Sequence, residues 1–203
     1  MFQVIIYDCD GVLIDSRESN QAFYNHILAR FGLPPLTEAQ LAVVHVNTAQ
    51  GAIDHLFGGH PGLAEAQAYQ RTINNDPFLP LIRPEPHIRE VLLRLRSRYA
   101  TAIATNRGKS LPLVLKNLGL ADLFDLTVSA YDVTRPKPDP ECLLRILTHF
   151  RAAPAAALYI GDSQVDREVA ATAGVPFAAY KNPALPARYH LNTHLDLLPI
   201  LKL

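Results

Sequence analysis

The chain has 203 residues, of which 49% are hydrophobic and 19% charged, a composition that suits one well-buried core with a small appended domain and excludes a disordered chain. The formal net charge is zero, so no basic field attracts nucleic acid or a membrane surface, and we expect neither as a partner. No stretch approaches the roughly 18 apolar residues of a membrane span, so we expect no spanning helix.

The two cysteines, Cys9 and Cys142, are far apart in the sequence and do not have the spacing of metal ligands. Free cysteine is often buried as a small apolar residue, so we expect both thiols to be reduced and inside the fold. The N-terminus lacks the basic segment and long apolar run of a signal peptide. These features predict a cytoplasmic protein, which we expect to be a monomer or a homodimer.

The first predicted element is a short strand. Val4 to Tyr7 is an apolar, partly β-branched run, and it ends at the turn residues Asp8-Cys9-Asp10-Gly11. Such a run, bounded by a turn signal, is typical of a strand that is buried on both faces.

Between residues 16 and 80 the sequence predicts only helices. Ser16 is placed to cap a first helix, which runs to about residue 31 and stops at a glycine followed by two prolines. Thr37 begins a second helix, and Gln40 three residues later completes a possible capping box. Two further helices are expected, at about 48–57 and 62–74.

From Pro84 onward, predicted helices alternate with predicted strands. This alternation implies βαβ units and a parallel sheet, so we predict an α/β fold with a small all-helical insert after the first strand. The expected helices are 88–98, 109–118, 139–150, 164–173 and 195–201, and the expected strands are 100–104, 126–129, 157–160 and 177–180.

Asp8 and Asp10 follow the first strand directly. The carboxyl ends of strands in an open α/β sheet are where ligands bind, so one carboxylate could act as a nucleophile while the other handles protons. Gly11 lets the backbone begin to turn at this point. Taken alone, the pair fits equally well with two solvated acids in a turn.

Polar residues that suit a phosphate group follow two later segments. Thr105 and Asn106 come directly after the strand 100–104, where a hydroxyl can donate to a phosphoryl oxygen; the alternative is a helix cap. Lys137 stands between Pro136 and Pro138, so a stiff loop carries its ammonium, which could neutralise both an aspartate and a phosphate. The alternative for Lys137 is an exposed loop lysine.

Asp162 follows the strand 157–160, and Asp166 lies four residues further along the chain. Facing Asp8 across the sheet, Asp162 would supply a second oxygen ligand for Mg²⁺, which prefers carboxylates, carbonyls and waters. Asp166 can point back to the same site from the start of a helix. The alternative is that these acids cap that helix.

Together these segments resemble the four ordered motifs of the haloacid dehalogenase-like phosphohydrolases. The resemblance covers essentially the whole chain and is nearest to the subgroup of phosphoglycolate phosphatases and β-phosphoglucomutases. It implies a Rossmann-like core formed by residues 1–15 and 82–203, with a helical cap domain over 16–81. The matching segments are Asp8-x-Asp10-Gly11-Val12-Leu13-x-Asp15-Ser16, Thr105-Asn106, Lys137-Pro138 and Gly161-Asp162-x-x-x-Asp166.

The resemblance also implies a role for each matching residue. Asp8 would be the nucleophile and Asp10 the general acid and base, while Thr105, Asn106 and Lys137 would bind the phosphate group. Mg²⁺ would be held at a site made of Asp8, the main-chain carbonyl of Asp10 and Asp162, with Asp166 assisting. The implied activity is Mg²⁺-dependent hydrolysis of a small organic phosphate monoester through an aspartyl-phosphate.

Other activities of the family fit the sequence less well. The dehalogenases lack the second acid of the first motif, which is present here as Asp10. Phosphonoacetaldehyde hydrolases need a cap lysine, and this chain has no lysine before Lys109. The mutases carry a histidine and an arginine in the cap where this chain has Asn20 and Ala49, so a mutase is disfavoured and stays an alternative. A catalytically inactive binding protein on the same scaffold is the other alternative.

The substrate beyond its phosphate group would be recognised by the cap. Arg17 and Asn20 lie nearest the linker into the cap, and we expect both to contribute to substrate binding. Arg17 could reach a substrate carboxylate, or it could be an exposed surface arginine. Phosphoglycolate-like compounds and sugar phosphates are the expected substrate classes.

Overall fold

A six-stranded parallel sheet forms the centre of the protein, which is described here from a computed structural model covering residues 2–203. The strands of the sheet are arranged in the order β5-β4-β1-β6-β7-β8, and a separate antiparallel pair is formed by β2 and β3. Strand bounds are β1 Val4–Tyr7, β2 Ile14–Asp15, β3 Arg83–Pro84, β4 Ala100–Ala104, β5 Leu126–Val128, β6 Ala157–Gly161, β7 Phe177–Tyr180 and β8 Tyr189–Leu191.

The first strand occupies the middle of the sheet, between β4 and β6. Val4 pairs with Ala100 on one side and Ala157 on the other. Successive side chains of a strand point to opposite faces, and here Ile5 and Tyr7 join one apolar cluster while Val4 and Ile6 join another. Burial on both faces explains why this run is continuously apolar, and the predicted α/β fold with a Rossmann-like sheet is confirmed.

Nine α-helices accompany the strands over residues 2–203. Most lie where the sequence predicts them, but α5 ends earlier than predicted, and α6, α7 and α9 begin two residues later. Short 3₁₀ turns take up part of the remaining chain, as at Asp76–Leu81. The helices are α1 Arg17–Arg30, α2 Glu38–Val46, α3 Ala49–Leu56, α4 Leu63–Thr72, α5 Ile88–Leu95, α6 Leu111–Asn117, α7 Glu141–Phe150, α8 Gln164–Ala173 and α9 Leu197–Leu201.

The helical insert has an apolar core of its own, built from residues of α1 to α4 that include Ile27, Ile53 and Phe57. Its second helix begins with the capping box predicted at Thr37 and Gln40. Ser16 occupies the N-cap position of α1 as predicted, but its hydroxyl makes no cap hydrogen bond to the helix. That hydroxyl donates to the carboxylate of Asp10 instead.

Three strands of the structure were not predicted from the sequence. β2 and β3 are two residues each, and they pair Ile14 with Pro84 and Asp15 with Arg83 at the two points where the chain enters and leaves the helical insert. β8 has three residues, and only Leu191 among them is buried. Segments this short carry no readable periodicity, so only their pairing partners define them.

Cys9 and Cys142 are both free and buried, as predicted. Within residues 2–203, no helix combines the length and the apolar character that crossing a membrane requires.

Candidate active site

Most of the predicted site residues line a cavity at the carboxyl edge of the sheet. Strand β1 lies between β4 on one side and β6 on the other. This is the point where the strand order reverses, which in open α/β sheets is where ligands bind. The cavity has a volume of about 170 Å³, and its walls come from both the sheet edge and the helical insert, including Asp8, Asp10, Thr105, Lys137 and Asp162.

Asp8 follows β1 and is buried beside Lys137. Its Oδ1 lies 2.9 Å from Nζ of Lys137, close enough for an ion pair. The two atoms are not aligned as a hydrogen bond, and Oδ1 has no other partner within the described residues. Oδ1 of Asp8 is therefore buried beside the ammonium of Lys137 without accepting a hydrogen bond from the described residues.

The ammonium of Lys137 also contacts Asp166 and Tyr159, two fully buried residues. Nζ lies 2.6 Å from Oδ1 of Asp166 and donates to the Tyr159 hydroxyl at 3.0 Å. The other oxygen of Asp166 accepts a hydrogen bond from the Ser163 hydroxyl at 2.5 Å, and Ser163 caps α8. Both oxygens of Asp166 are thus engaged by protein groups, which favours a role in fixing the ammonium of Lys137.

Asp162 completes a group of three carboxylates. One oxygen from each of Asp8, Asp162 and Asp166 lies within 4.8 Å of the others. The loop after β1 approaches Asp162 closely at Gly11, where a Cβ would stand 2.2 Å from Oδ2 of Asp162, and the φ of +78° also favours glycine. We call Asp8, Lys137, Tyr159, Asp162 and Asp166 the Asp8 cluster.

The charges of the Asp8 cluster are only partly balanced. Burial, and then repulsion from Asp166, raise the pKa of Asp8 to about 7 against the opposing effect of Lys137. Burial and repulsion from Asp8 raise the pKa of Asp162 to about 8. Burial alone would also raise the pKa of Asp166, but Lys137 and the hydrogen bonds to this carboxylate lower it. One lysine does not neutralise three acids, so the cluster suits an additional cation.

Asp10 lies two residues from Asp8 but belongs to a different set of contacts. Its Oδ2 accepts a hydrogen bond from Nε of Arg107 at 2.9 Å, and its Oδ1 accepts one from Nη2 at 2.5 Å. The Ser16 hydroxyl also donates to Oδ1, and Nη1 of Arg107 donates to Ser110 at 3.0 Å. We call Asp10, Arg107, Ser16 and Ser110 the Asp10 clamp.

The Asp10 clamp holds this carboxylate in its charged form. Burial alone would raise the pKa of Asp10, but the charge and hydrogen bonds of Arg107 lower it, with smaller contributions from His45 and Ser16. The Asp10 side chain is not among the three carboxylates that lie close enough to share a metal ion. Of the predicted metal ligands, the structure therefore brings together the side chains of Asp8, Asp162 and Asp166, and directs that of Asp10 elsewhere.

Thr105 and Asn106 follow β4 as predicted, but their side chains face different ways. The Thr105 hydroxyl lies in the cavity wall and accepts a hydrogen bond from the backbone N–H of Arg107 at 3.0 Å. The Asn106 amide bonds both the N–H and the carbonyl of Lys137, at 3.0 and 3.2 Å, and also donates to the carbonyl of Val46. Asn106 is thus positioned to fix the Lys137 loop, while Thr105 leaves its hydroxyl proton for a ligand.

The two residues expected from the insert are placed differently. Asn20 lines the cavity, and its amide lies 3.0 Å from Nδ1 of His45. Arg17 does not line the cavity, because its side chain is 51% exposed and pairs with Glu38 at the surface. The structure therefore keeps Asn20 as a candidate contact and places Arg17 away from the other site residues.

Several residues of the site were missed by the sequence analysis. Arg107 directly follows Thr105-Asn106, so its position after a strand was an available signal. Tyr159 lies inside a strand and His45 inside a helix, where a core role is the ordinary expectation. The packing of α2 brings His45 to the cavity, whereas β6 places the buried Tyr159 hydroxyl against Lys137, outside the cavity lining.

The fold and the site define an α/β protein with a buried cluster of carboxylates at the switch point of its sheet. Residues 5–180 match the model of the haloacid dehalogenase-like hydrolase family. The chain belongs to this family, which confirms the identification made from its motifs.

Relatives with known names agree with this assignment. A phosphoglycolate phosphatase of Cereibacter sphaeroides is 30% identical over 96% of this chain and 95% of its own. An N-acetylmuramic acid 6-phosphate phosphatase of Pseudomonas aeruginosa is 27% identical over 88% of this chain and 81% of its own.

A solved structure also matches along the whole chain. The haloacid dehalogenase superfamily hydrolase of subfamily IA from Geobacter sulfurreducens shares 39% identity, with a TM-score of 0.80 and coverage of 98% of this chain and 96% of that one. The predicted enzyme class, a phosphatase of the haloacid dehalogenase-like family, is confirmed by the family match and these relatives.

Proposed function

We propose that the protein is a Mg²⁺-dependent phosphatase that hydrolyses a small organic phosphate monoester through an aspartyl-phosphate. The observation that carries this proposal is the buried carboxylate of Asp8 in the cavity wall, whose Oδ1 lies beside the ammonium of Lys137 and accepts no hydrogen bond from the described residues. A carboxylate placed this way can attack phosphorus, while the lysine offsets the repulsion between two anions.

The residues of the Asp8 cluster fit a magnesium ion. Three carboxylates lie together with raised pKa values on two of them, and hard oxygen donors are the ligands that Mg²⁺ prefers. Asp8 and Asp162 would hold the ion with the main-chain carbonyl of Asp10, and Asp166 would assist by holding Lys137. When bound, the ion supplies positive charge that stabilises the phosphoryl oxygens.

Different side chains of the protein would bind the phosphate group, attack phosphorus and transfer protons. Lys137 and the Thr105 hydroxyl bind phosphoryl oxygens, and Asp8 attacks phosphorus in line with the departing alkoxide. Asp10 donates a proton to that alkoxide and later takes one from the water that hydrolyses the acyl phosphate. Because Arg107 and Ser16 favour the charged form of Asp10, the clamp suits the second, proton-accepting step, and the first needs Asp10 to gain a proton in the complex.

The cavity supports a small, polar substrate. Its volume of about 170 Å³ is modest, and its lining includes two further cations, Arg71 and Lys109. We propose phosphoglycolate-like compounds and sugar phosphates as the substrate classes, with residues 16–81 acting as the cap domain and residues 1–15 and 82–203 as the catalytic core. The named relatives act on different phosphate esters, so the choice within these classes depends on the lining of this cavity.

A substrate panel tests the proposal. Purified protein is assayed with Mg²⁺ on phosphoglycolate, sugar phosphates, nucleotides, pyrophosphate and an aryl phosphate. We expect hydrolysis of the small monoesters, with phosphoglycolate or a sugar phosphate preferred. Failure to hydrolyse any of them, the aryl phosphate included, would favour the inactive binding protein over the phosphatase. Transfer of phosphate between positions of one sugar, without release, would favour the mutase.

A transient experiment tests the proposed intermediate. Asp10→Asn should still attack an aryl phosphate, whose leaving group needs little proton donation, but the aspartyl-phosphate should persist. Rapid mixing should then show a burst of about one leaving-group equivalent per site, followed by slow turnover. Equal slowing of aryl and alkyl phosphates, with no burst, would contradict the acid/base role of Asp10.

A further inference from the structure

The contact between Arg107 and Asp10 has a geometry that the charge of Arg107 alone does not require. Its guanidinium is nearly buried, with a side chain 10% exposed, against an Asp10 side chain that is 13% exposed. Both oxygens of Asp10 accept from this one guanidinium, through Nε at 2.9 Å and Nη2 at 2.5 Å. A planar fork that meets a carboxylate at two points fixes orientation as well as distance.

The same guanidinium is itself anchored. Nη1 donates to the Ser110 hydroxyl at 3.0 Å, immediately before α6, and the backbone N–H of Arg107 donates to the Thr105 hydroxyl at 3.0 Å. Arg107 therefore connects Asp10, which follows β1, to the loop after β4 that carries the proposed phosphate ligand Thr105. The position of one proposed functional group is set relative to the other.

Without the contact to Arg107, the orientation of the Asp10 carboxylate would depend on one other side-chain partner. Asp10 lies in the turn after β1, and the other side-chain partner that the structure shows is the Ser16 hydroxyl, which reaches only Oδ1. A short side chain held at one oxygen can rotate about its terminal bond, whereas a forked contact to both oxygens prevents that rotation.

We propose that Arg107 is a positioning residue that orients the Asp10 carboxylate for proton transfer to and from the reacting oxygen. The inference rests on the proposed function, because it gives Asp10 the acid/base role. Three of the five guanidinium N–H groups of Arg107 donate to protein oxygens, one each from Nε, Nη1 and Nη2, so the role assigned to it is the contact with Asp10.

Two substrates separate positioning of Asp10 from other effects. In Arg107→Ala, the kcat for ethyl phosphate should fall by about 100-fold, the loss that a misplacement of about 1 Å can cause. The burst rate for an aryl phosphate, which reports formation of the aspartyl-phosphate, should fall by less than about 10-fold, because this leaving group needs little protonation. Its steady-state turnover should slow, because Asp10 also accepts the proton of the hydrolytic water. KM for ethyl phosphate should stay within about threefold, and added guanidinium ion should restore part of the ethyl phosphate activity.

Further variants make the test specific. Arg107→Lys keeps the charge but cannot form the fork, so it should also slow ethyl phosphate turnover more than the aryl phosphate burst. In an Asp10→Asn background, Arg107→Ala should cause no further loss. Arg145 donates through both Nε and Nη2 to Oε1 of Glu141, outside the cavity lining, so Arg145→Ala is the control for loss of an arginine–carboxylate pair and should behave as wild type.

The outcomes distinguish this inference from the proposed function. A wild-type protein that hydrolyses no phosphate ester would overturn the proposed function, and the role of Arg107 with it. An active wild type whose Arg107 variants slow ethyl phosphate turnover and the aryl phosphate burst equally, or lose further activity in the Asp10→Asn background, would overturn only the positioning role. A raised KM confined to phosphoglycolate would make Arg107 a substrate ligand instead. If Arg107→Ala does not fold, Arg107→Lys decides by the same comparison.

Discussion

The Asp8 cluster and the Asp10 clamp begin at two aspartates of one turn, yet they place their carboxylates in opposite electrostatic environments. Burial and neighbouring acids raise the pKa of Asp8 to about 7, whereas the guanidinium of Arg107 outweighs burial and lowers the pKa of Asp10. Asp8 shares its cationic partner, Lys137, with another acid of the Asp8 cluster, whereas Asp10 is the only acid paired with Arg107 among the described residues. Partners from distant parts of the chain, more than the local sequence, decide how each aspartate behaves.

The largest expected effect is on the nucleophile. Asp8→Asn keeps the shape of the side chain but removes the attacking charge, so kcat for an aryl phosphate should fall by at least about 10⁴-fold. Steady-state kinetics with Mg²⁺ measure this, and circular dichroism checks the fold. Asp122→Asn, a change outside the cavity, is the control. Near-normal turnover in Asp8→Asn would contradict the assignment of Asp8 as the nucleophile and so its different role from Asp10.

Metal removal should affect the Asp8 cluster strongly. Chelation should abolish phosphatase activity and Mg²⁺ should restore it, while excess Ca²⁺ should inhibit, because calcium prefers more ligands and longer bonds. Asp162→Asn should need a Mg²⁺ concentration at least about 10-fold higher for half-maximal activity. Full activity in chelator, at a verified negligible metal content, would contradict a metal site in this cluster.

The two regions should respond in opposite directions when their acids are neutralised in chelator at pH 8. Asp10→Asn leaves the Arg107 charge nearly buried without its partner, so the free energy of unfolding should fall by about 3–5 kcal/mol. Asp162→Asn removes a charge that its neighbours repel, so this free energy should rise by about 1 kcal/mol or more. Urea denaturation measures the free energy of unfolding of both variants. A loss of stability in both would contradict the opposite responses expected of the two regions.

The stability difference between Asp162→Asn and wild type should depend on pH. The pKa of Asp162 is about 8 in the folded protein, above its unfolded value, so the stabilisation by the protonated form is present at low pH and is lost as pH rises to about 8. The advantage of Asp162→Asn over wild type in chelator should therefore grow between about pH 4 and pH 8 and then level off. Denaturation across this range checks the slope, and Mg²⁺ should reverse the advantage by stabilising wild type.

The smallest expected effect concerns Tyr159. Its hydroxyl lies 2.7 Å from Oδ1 of Asp166 and accepts from Lys137 in a fully buried position. Tyr159→Phe removes this partner while keeping the ring, so the free energy of unfolding should fall by about 1–2 kcal/mol. Tyr131→Phe, at an exposed tyrosine, is the control. No change in Tyr159→Phe would mean that Asp166 alone holds the lysine.

Much of the site was predictable because its residues follow strands. Parallel strands bring their carboxyl ends to one edge, so apolar runs followed by Asp8, Thr105 and Asp162 already predicted that these residues meet. The capping box at Thr37 was equally local and was predicted correctly. In each case the chemistry is encoded within a few residues of one strand or helix.

Only the tertiary structure decided which side chains pair. The sequence predicted that Asp10 follows a buried strand, but not that Arg107, 97 positions away, would take both of its oxygens. It predicted Ser16 as a helix cap, yet the hydroxyl turns to Asp10 because that carboxylate lies within reach once β1 and α1 are packed. Contacts between distant loops depend on how layers pack, and no periodicity in the chain records that arrangement.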